Sequence, residues 1–61
     1  MSDSTNLLKA AFDTYMAENA KFVAGNKSAG TRARKALMEL GKLVKVRRAE
    51  IQDAKNAEKS A

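Results

Sequence analysis

Large hydrophobic residues in the first third of the chain recur at the spacing of an α-helix. They are Leu8, Phe12, Tyr15 and Phe22. Residues separated by three, four or seven positions share one face of a helix, so this face is apolar while the others are polar. Three polar residues just before it suit the N-cap position: Ser2, Asp3 and Ser4. The pattern predicts a first helix over about residues 4–24.

A second apolar pattern continues through the other half of the chain. Its positions are Gly30, Ala33, Leu37, Leu40, Val44, Ile51 and Ala54, with Leu43 beside them. At about 100° per residue the large side chains among these fall within an arc of about 120°. No proline interrupts the stretch. The pattern predicts a second helix over about residues 28–56, followed by a frayed tail over residues 57–61.

The segment between the two patterns has the residues of a tight helix–helix turn. Gly25 stands where a helix C-terminus favours a residue that tolerates the left-handed conformation. Asn26 or Ser28 can then cap the second helix. We therefore predict a turn over residues 25–27 and an all-α fold, an antiparallel two-helix hairpin that forms one domain over residues 1–61.

An antiparallel hairpin that turns in this segment pairs residues whose numbers sum to about 52. This register places Phe12 beside Leu40 and Arg47 near Thr5. Arg47 interrupts the apolar pattern of the second helix. Two interpretations stay open: its guanidinium reaches Asp3 or the capping hydroxyls, or it lies along the seam and ends in water.

Two helices cannot enclose all of these apolar side chains, because each apolar stripe has two flanks and a hairpin covers one. Six residues are expected to stay wholly or partly exposed: Leu7, Tyr15, Met16, Met38, Leu43 and Val46. Exposed apolar patches of this kind normally form interfaces. We therefore expect a homodimer or higher oligomer in which two hairpins form a four-helix bundle. The residues predicted for the core or the dimer interface are Leu8, Phe12, Tyr15, Phe22, Leu37, Leu40, Leu43, Val44 and Ile51.

Composition excludes several kinds of chemistry. The chain has no cysteine, histidine or proline, so disulfides and the usual ligands of structural zinc are missing. Its carboxylates are scattered, and no glycine-rich phosphate loop joins a strand to a helix. We expect no cofactor, no bound metal, no small-molecule substrate and no enzymatic activity.

The sequence also bears on the location of the protein. No apolar run reaches the length of a membrane span, and the first residues are polar and acidic. We expect a cytoplasmic, nucleoid-associated protein with no membrane partner.

Positive charge is concentrated in one segment. Residues 25–48 hold eight of the twelve basic residues and one of the seven acidic residues. On a helical projection six of these cations fall within an arc of about 140° beside the apolar arc: Lys27, Arg34, Lys35, Lys42, Lys45 and Arg48. Arg32 projects on the far side. A one-sided basic stripe of this kind indicates a polyanionic partner.

A nucleic acid is the first candidate for this partner, and an anionic membrane is the second. The stripe contains no asparagine or glutamine for reading bases, so we expect contacts to backbone phosphates that ignore base sequence. The start of the second helix adds amide groups and a favourable dipole for an anion. The candidate phosphate-binding residues are Lys27, Arg32, Arg34, Lys35, Lys42, Lys45 and Arg48.

The segment AGNKSAGTRARKALMELGKLVKVRRAEI resembles the bacterial linker-histone-like nucleoid proteins, the family that includes the chlamydial histone-like protein. The similar parts are Gly25-Asn26-Lys27, Arg32 and Arg34 with Lys35, the spaced Leu37, Leu40 and Val44, and the arginines before Glu50. The resemblance implies a small histone-like protein that binds DNA with little sequence preference and compacts or bridges it. The chlamydial members have a long lysine- and alanine-rich tail, whereas this sequence ends in KNAEKSA. We therefore expect binding to come from the helical part.

Three other functions are compatible with the same pattern. A helical dimer can present its basic helices to RNA instead of DNA. A helix with an apolar face beside a basic face can bind an anionic membrane surface or a partner protein. The hairpin can also act as an oligomerisation module without a polyanionic partner.

Overall fold

The computed structural model describes residues 3–60 of the 61, with the side chains of residues 3–57. It contains two helices, α1 over Asp3–Val23 and α2 over Lys27–Ser60, and no strand among the described residues. The two helices pack against each other along the length of α1. This confirms the predicted all-α hairpin.

The turn between the helices is closed by a pair of backbone hydrogen bonds. The amide of Asn26 donates to the carbonyl of Lys21, and the amide of Gly25 donates to that of Phe22, both at 3.0 Å. With the positive φ of Gly25, 113°, this is the arrangement of a Schellman C-cap. The Oδ1 of Asn26 then accepts from the amide of Ala29 at 3.2 Å and caps α2. The glycine and the asparagine thus have the predicted roles.

Contacts between the helices confirm the predicted register to within two residues. Ser4 at the start of α1 donates a hydrogen bond to Glu50. Nearer the turn, the guanidinium of Arg32 lies 2.8 Å from the carboxylate of Glu18. At the turn itself, the ring of Phe22 lies against Gly30, where an added Cβ would be 2.7 Å from the ring.

The most buried residues of α2 are small. Ala29, Ala33 and Ala36 expose 0%, 6% and 8% of their surface, and Leu43 exposes 9%. We call the three alanines the alanine seam. The prediction that Leu43 is left exposed is wrong, because this residue is in phase with the seam and faces α1.

Most of the large apolar side chains stay about half exposed, and they gather on one side of the hairpin. Helical phase and the lining of the groove on that side place seven of them together. We call this set the apolar flank: Phe12, Met16, Phe22, Val23, Leu37, Val44 and Ile51. Leu7 and Val46 lie on the opposite flank and Met38 on the outer side of α2, and these three are also exposed.

The second helix is longer than predicted. It continues to Ser60, whereas the sequence pattern suggested an end near residue 56. Residues 57–59 are alanine, glutamate and lysine, which favour helix, so no breaker stops it. Both ends of α1 and the start of α2 each lie one residue before their predicted positions. The turn accordingly covers residues 24–26 instead of 25–27. Ser2 and Ala61 lie outside the described residues.

Replacing Gly25 by alanine should destabilise the hairpin. An L residue held at a φ of 113° is strained, and we expect a loss of about 1–3 kcal/mol. Thermal unfolding followed by circular dichroism at a fixed protein concentration measures this loss. The matched control is a synthetic chain with D-alanine at position 25, which adopts positive φ without strain and should not lower the Tm. An equal fall in Tm for both variants would contradict the account.

Candidate nucleic-acid interface

The outer side of α2 carries six exposed cations. They are Lys27, Arg34, Lys35, Lys42, Lys45 and Arg48, and we call them the basic face. None of the six makes an ion pair with another of the side chains described for residues 3–57. At about 1.5 Å per residue the face runs for about 32 Å along the helix axis. Its charge is therefore available to a partner.

The packing of α2 explains why these cations point outward. The alanine seam is buried against α1, and the centre of the basic face lies roughly 165° around the helix from the seam. Side chains at that phase point away from α1. The contact that builds the hairpin thus also turns the basic residues towards solvent.

Arg32, the seventh predicted phosphate ligand, has a different environment. Its Nε lies 2.8 Å from the carboxylate of Glu18, across the interface between the helices. The ammonium of Lys21 is 3.6 Å from the same carboxylate. The hydrogen bond from Arg32 is the main reason that the pKa of Glu18 lies below its ordinary value. Arg32 therefore forms an ion pair between the two helices. The six cations of the basic face form no such pair with the described side chains.

Arg47 also lies beside a carboxylate. Its guanidinium is 3.1 Å from Oε1 of Glu50, and the hydroxyl of Ser4 donates to that same oxygen. These two hydrogen bonds, with Ser4 the larger influence, hold the pKa of Glu50 below its ordinary value. Arg47 and the hydroxyl of Ser4 thus share one carboxylate oxygen of Glu50, a partner that was not predicted for Arg47.

The residues predicted for the core or a dimer interface differ in exposure. Leu43 is buried, and three others are half-buried: Leu8, Tyr15 and Leu40. Five are exposed by about half: Phe12, Phe22, Leu37, Val44 and Ile51. The rings of Phe12 and Tyr15 approach each other at 6.4 Å between centroids, tilted by 41°. The exposed members belong to the apolar flank.

Two shallow grooves follow the line where the helices meet. One, of about 420 Å³, has small and charged walls that include Ala11, Glu18 and Lys35. The other, of about 350 Å³, lies on the apolar flank and is lined by residues such as Phe22 and Leu37. Within the described residues no cluster of acidic side chains can hold a metal ion.

Sequence reasoning missed two features of this region. The alanines of the seam were not all recognised, because alanine is common on every face of a helix. The partner of Arg32 was missed as well, since Glu18 is fourteen residues away in sequence. The predicted register of the hairpin could have revealed this pair, because it places Glu18 and Arg32 on facing turns of the two helices.

The fold is of the all-α class, a helical hairpin with exposed cations along its second helix. The family model described as histone H1-like protein Hc1 matches residues 2–57. The chain therefore belongs to this family of DNA-binding nucleoid proteins, which is structural and not enzymatic. This confirms the resemblance seen in the sequence. No similar curated protein and no similar solved structure was found. Neither described helix is long and apolar enough to cross a membrane.

Acid should weaken the hairpin through Glu18 and Glu50. Both carboxylates have a pKa below the ordinary value in the folded chain, so below about pH 4.5 the unfolded chain binds more protons. Their contribution is present above that pH and is lost as the pH falls through the folded pKa. We expect the Tm to drop between about pH 6 and about pH 3.

Thermal melts of the double variant Glu18→Gln/Glu50→Gln provide the test. Its Tm should be lower near neutral pH and should change less with acid than that of the parent chain. Glu39→Gln is the matched control, because Glu39 makes no ion pair among the described side chains. A double variant with the same pH profile as the parent would show that these two pairs do not stabilise the fold.

Proposed function

We propose that the protein binds duplex DNA through its backbone phosphates, without sequence specificity, in the nucleoid of a bacterial cytoplasm. The observation that carries the proposal is the basic face, six exposed cations with no ion pair among the described side chains. Membership of the histone H1-like family supports DNA as the polyanion.

The size and chemistry of the basic face fit a duplex. Its length of about 32 Å is close to one turn of B-DNA, roughly 34 Å. The six side chains are lysines and arginines, which bind phosphate as point charges or through two parallel hydrogen bonds. Since phosphates carry no sequence information, such a surface binds any sequence with similar affinity. We propose that Arg32 fastens the hairpin through Glu18 and leaves phosphate binding to the basic face.

Binding should depend steeply on salt and on the basic face. With six phosphate contacts for each protomer, the slope of log affinity against log salt should be about −5. The variant Arg34→Glu/Lys45→Glu should lose binding to a random-sequence duplex while its helix content and Tm stay close to those of the parent. Fluorescence anisotropy across a salt series measures the affinity.

The matched control for this experiment is Lys9→Glu/Lys55→Glu. It changes the net charge by the same amount, but both lysines lie outside the basic face, and Lys9 pairs with Asp13 on α1. It should retain most of the affinity. Equal losses in the two variants would mean that net charge alone governs binding, and retained binding by Arg34→Glu/Lys45→Glu would exclude the basic face as the site.

We also propose that two hairpins associate through the apolar flank. The chain exposes 4902 Å², whereas a compact monomer of 6.6 kDa should expose about 3,900 Å². The excess of about 1,000 Å² resembles the roughly 800 Å² that each partner buries in a standard interface. The groove on the flank is bordered by Lys27 and Arg34, whose long side chains can keep their charged groups in water at the rim while a second copy covers the apolar residues.

The placement of the two surfaces favours bridging of DNA. The apolar flank and the basic face lie about 100° apart around α2. A two-fold axis parallel to the helices sets the basic faces on opposite sides of a four-helix bundle, whereas a perpendicular axis sets them side by side. Since adjacent like charges repel, we propose the first arrangement. Such a dimer can bind one duplex on each side.

Two valines test the interface. Val44 and Val46 have similar exposure, 44% and 48%, but lie on opposite flanks of α2. Val44→Glu should yield monomers of 6.6 kDa in light scattering, because it puts a charge into the interface. Val46→Glu should remain oligomeric. The same mass for both variants would exclude the apolar flank as the interface.

A further inference from the structure

Met38 differs from the other exposed apolar residues. It exposes 65% of its surface and lies on the outer side of α2, away from the apolar flank. Residues three or four positions apart are neighbours on a helix surface, so its neighbours include Arg34, Lys35 and Lys42. A flexible apolar side chain thus projects from the middle of the basic face.

Gly41 lies one turn from Met38 on the same side of α2, and the hairpin gives no reason for a glycine there. A Cβ at Gly41 would meet no atom within 4 Å, whereas a Cβ at Gly30 would lie 2.7 Å from the ring of Phe22. The φ of Gly41 is not positive. Glycine weakens a helix interior compared with alanine. The packing of the hairpin therefore does not require a glycine at position 41, and we attribute the missing side chain to contact with a binding partner.

The charge around this pair identifies the chemistry of that partner. Arg34 and Lys35 lie before Met38, and Lys42 and Lys45 lie near or beyond Gly41. A second copy presenting the same face would bring like charges together, which is unfavourable. A duplex brings phosphates to the cations, and its stacked base steps accept an inserted apolar side chain such as that of the methionine. The surroundings of Met38 and Gly41 thus match DNA and not another hairpin.

Contact with the minor groove follows from the apolar side chain of Met38 and not from the width of the helix, because a helix fits lengthwise only into the major groove. An α-helix with its side chains is about 10–12 Å wide, whereas the minor groove is about 6 Å wide, so α2 lies across the groove. The rise from Arg34 to Lys42 is about 12 Å, which allows flexible cations to reach the phosphates on both edges. Single apolar side chains such as methionine enter the minor groove as wedges and bend the duplex.

We propose that Met38 enters the minor groove of bound DNA and that Gly41 is where the sugar–phosphate backbone approaches α2 most closely. This inference rests on the proposed function, because it requires a duplex on the basic face. It adds a defined point of contact and a bend in the DNA to binding through phosphates.

The variant Gly41→Ala separates this role from a structural one. Alanine should raise the Tm by about 4–8 °C, because it favours helix and meets no neighbour in the hairpin. The same variant should bind duplex DNA about five- to tenfold more weakly, because the added methyl group holds the backbone away. A stabilised protein with weakened binding is the expected result. Unchanged affinity for DNA would overturn the inference, whether or not the oligomeric mass changes.

A second experiment examines the wedge. Energy transfer between dyes at the two ends of a short duplex reports bending at saturating protein. Met38→Ala should reduce the bend, and Leu7→Ala, which truncates an exposed apolar side chain on α1 outside both the basic face and the apolar flank, should leave it unchanged. A parent chain that binds without bending DNA, or a Met38→Ala variant that bends it equally, would overturn the wedge. If the parent chain does not bind DNA at all, the proposed function itself fails.

Discussion

The contact between the alanine seam and α1 is the constraint on which the rest of the structure depends. Ala29, Ala33 and Ala36 are almost fully buried, and their small side chains allow the two helices to approach closely. A close approach leaves no space between two helices for large residues, so Phe12 and Leu37 remain about half exposed. The hairpin therefore has a tight seam but little core, and its large apolar residues are available to a partner.

The seam also divides α2 into sides with different chemistry. The inner side is small and apolar, the adjacent flank is large and apolar, and the outer side is cationic. Ion pairs do not neutralise the outer side, since the carboxylates of Glu18 and Glu50 bind Arg32 and Arg47 near the interface. These pairs hold the helices in register and leave the basic face unpaired among the described side chains. One helix thus carries the packing seam, part of the apolar flank and the whole basic face.

Sequence predicted the elements of this fold well because their determinants are local. Gly25 and Asn26 determine the turn through their own backbone preferences and hydrogen bonds. Periodicity shows which residues share a face, but it does not give the distance between two helices. The alanines were therefore undervalued, and Leu43 was wrongly expected at the surface. The end of α2 was placed too early, because residues 57–60 contain no breaker and no large apolar residue to mark an end.

The candidate site was predictable to a similar extent and for a related reason. The angular position of each residue on a helical projection was enough to identify the six cations of the basic face. The same projection could not reveal that Arg32 pairs with Glu18, because that contact depends on packing between elements. It also gave no significance to Gly41, since a glycine without a packed neighbour is noticed only when the surroundings of every glycine are known.

Association and DNA binding are expected to reinforce each other, because they use different sides of α2. Two hairpins in one bundle bring basic residues closer together, and this repulsion opposes association at low salt. Phosphates bound to the basic faces neutralise that charge and remove the repulsion. By linkage, a ligand that favours the associated form is itself bound more tightly by that form. For the proposed dimer and the proposed DNA site, we therefore expect DNA to strengthen the bundle and the bundle to hold DNA more firmly.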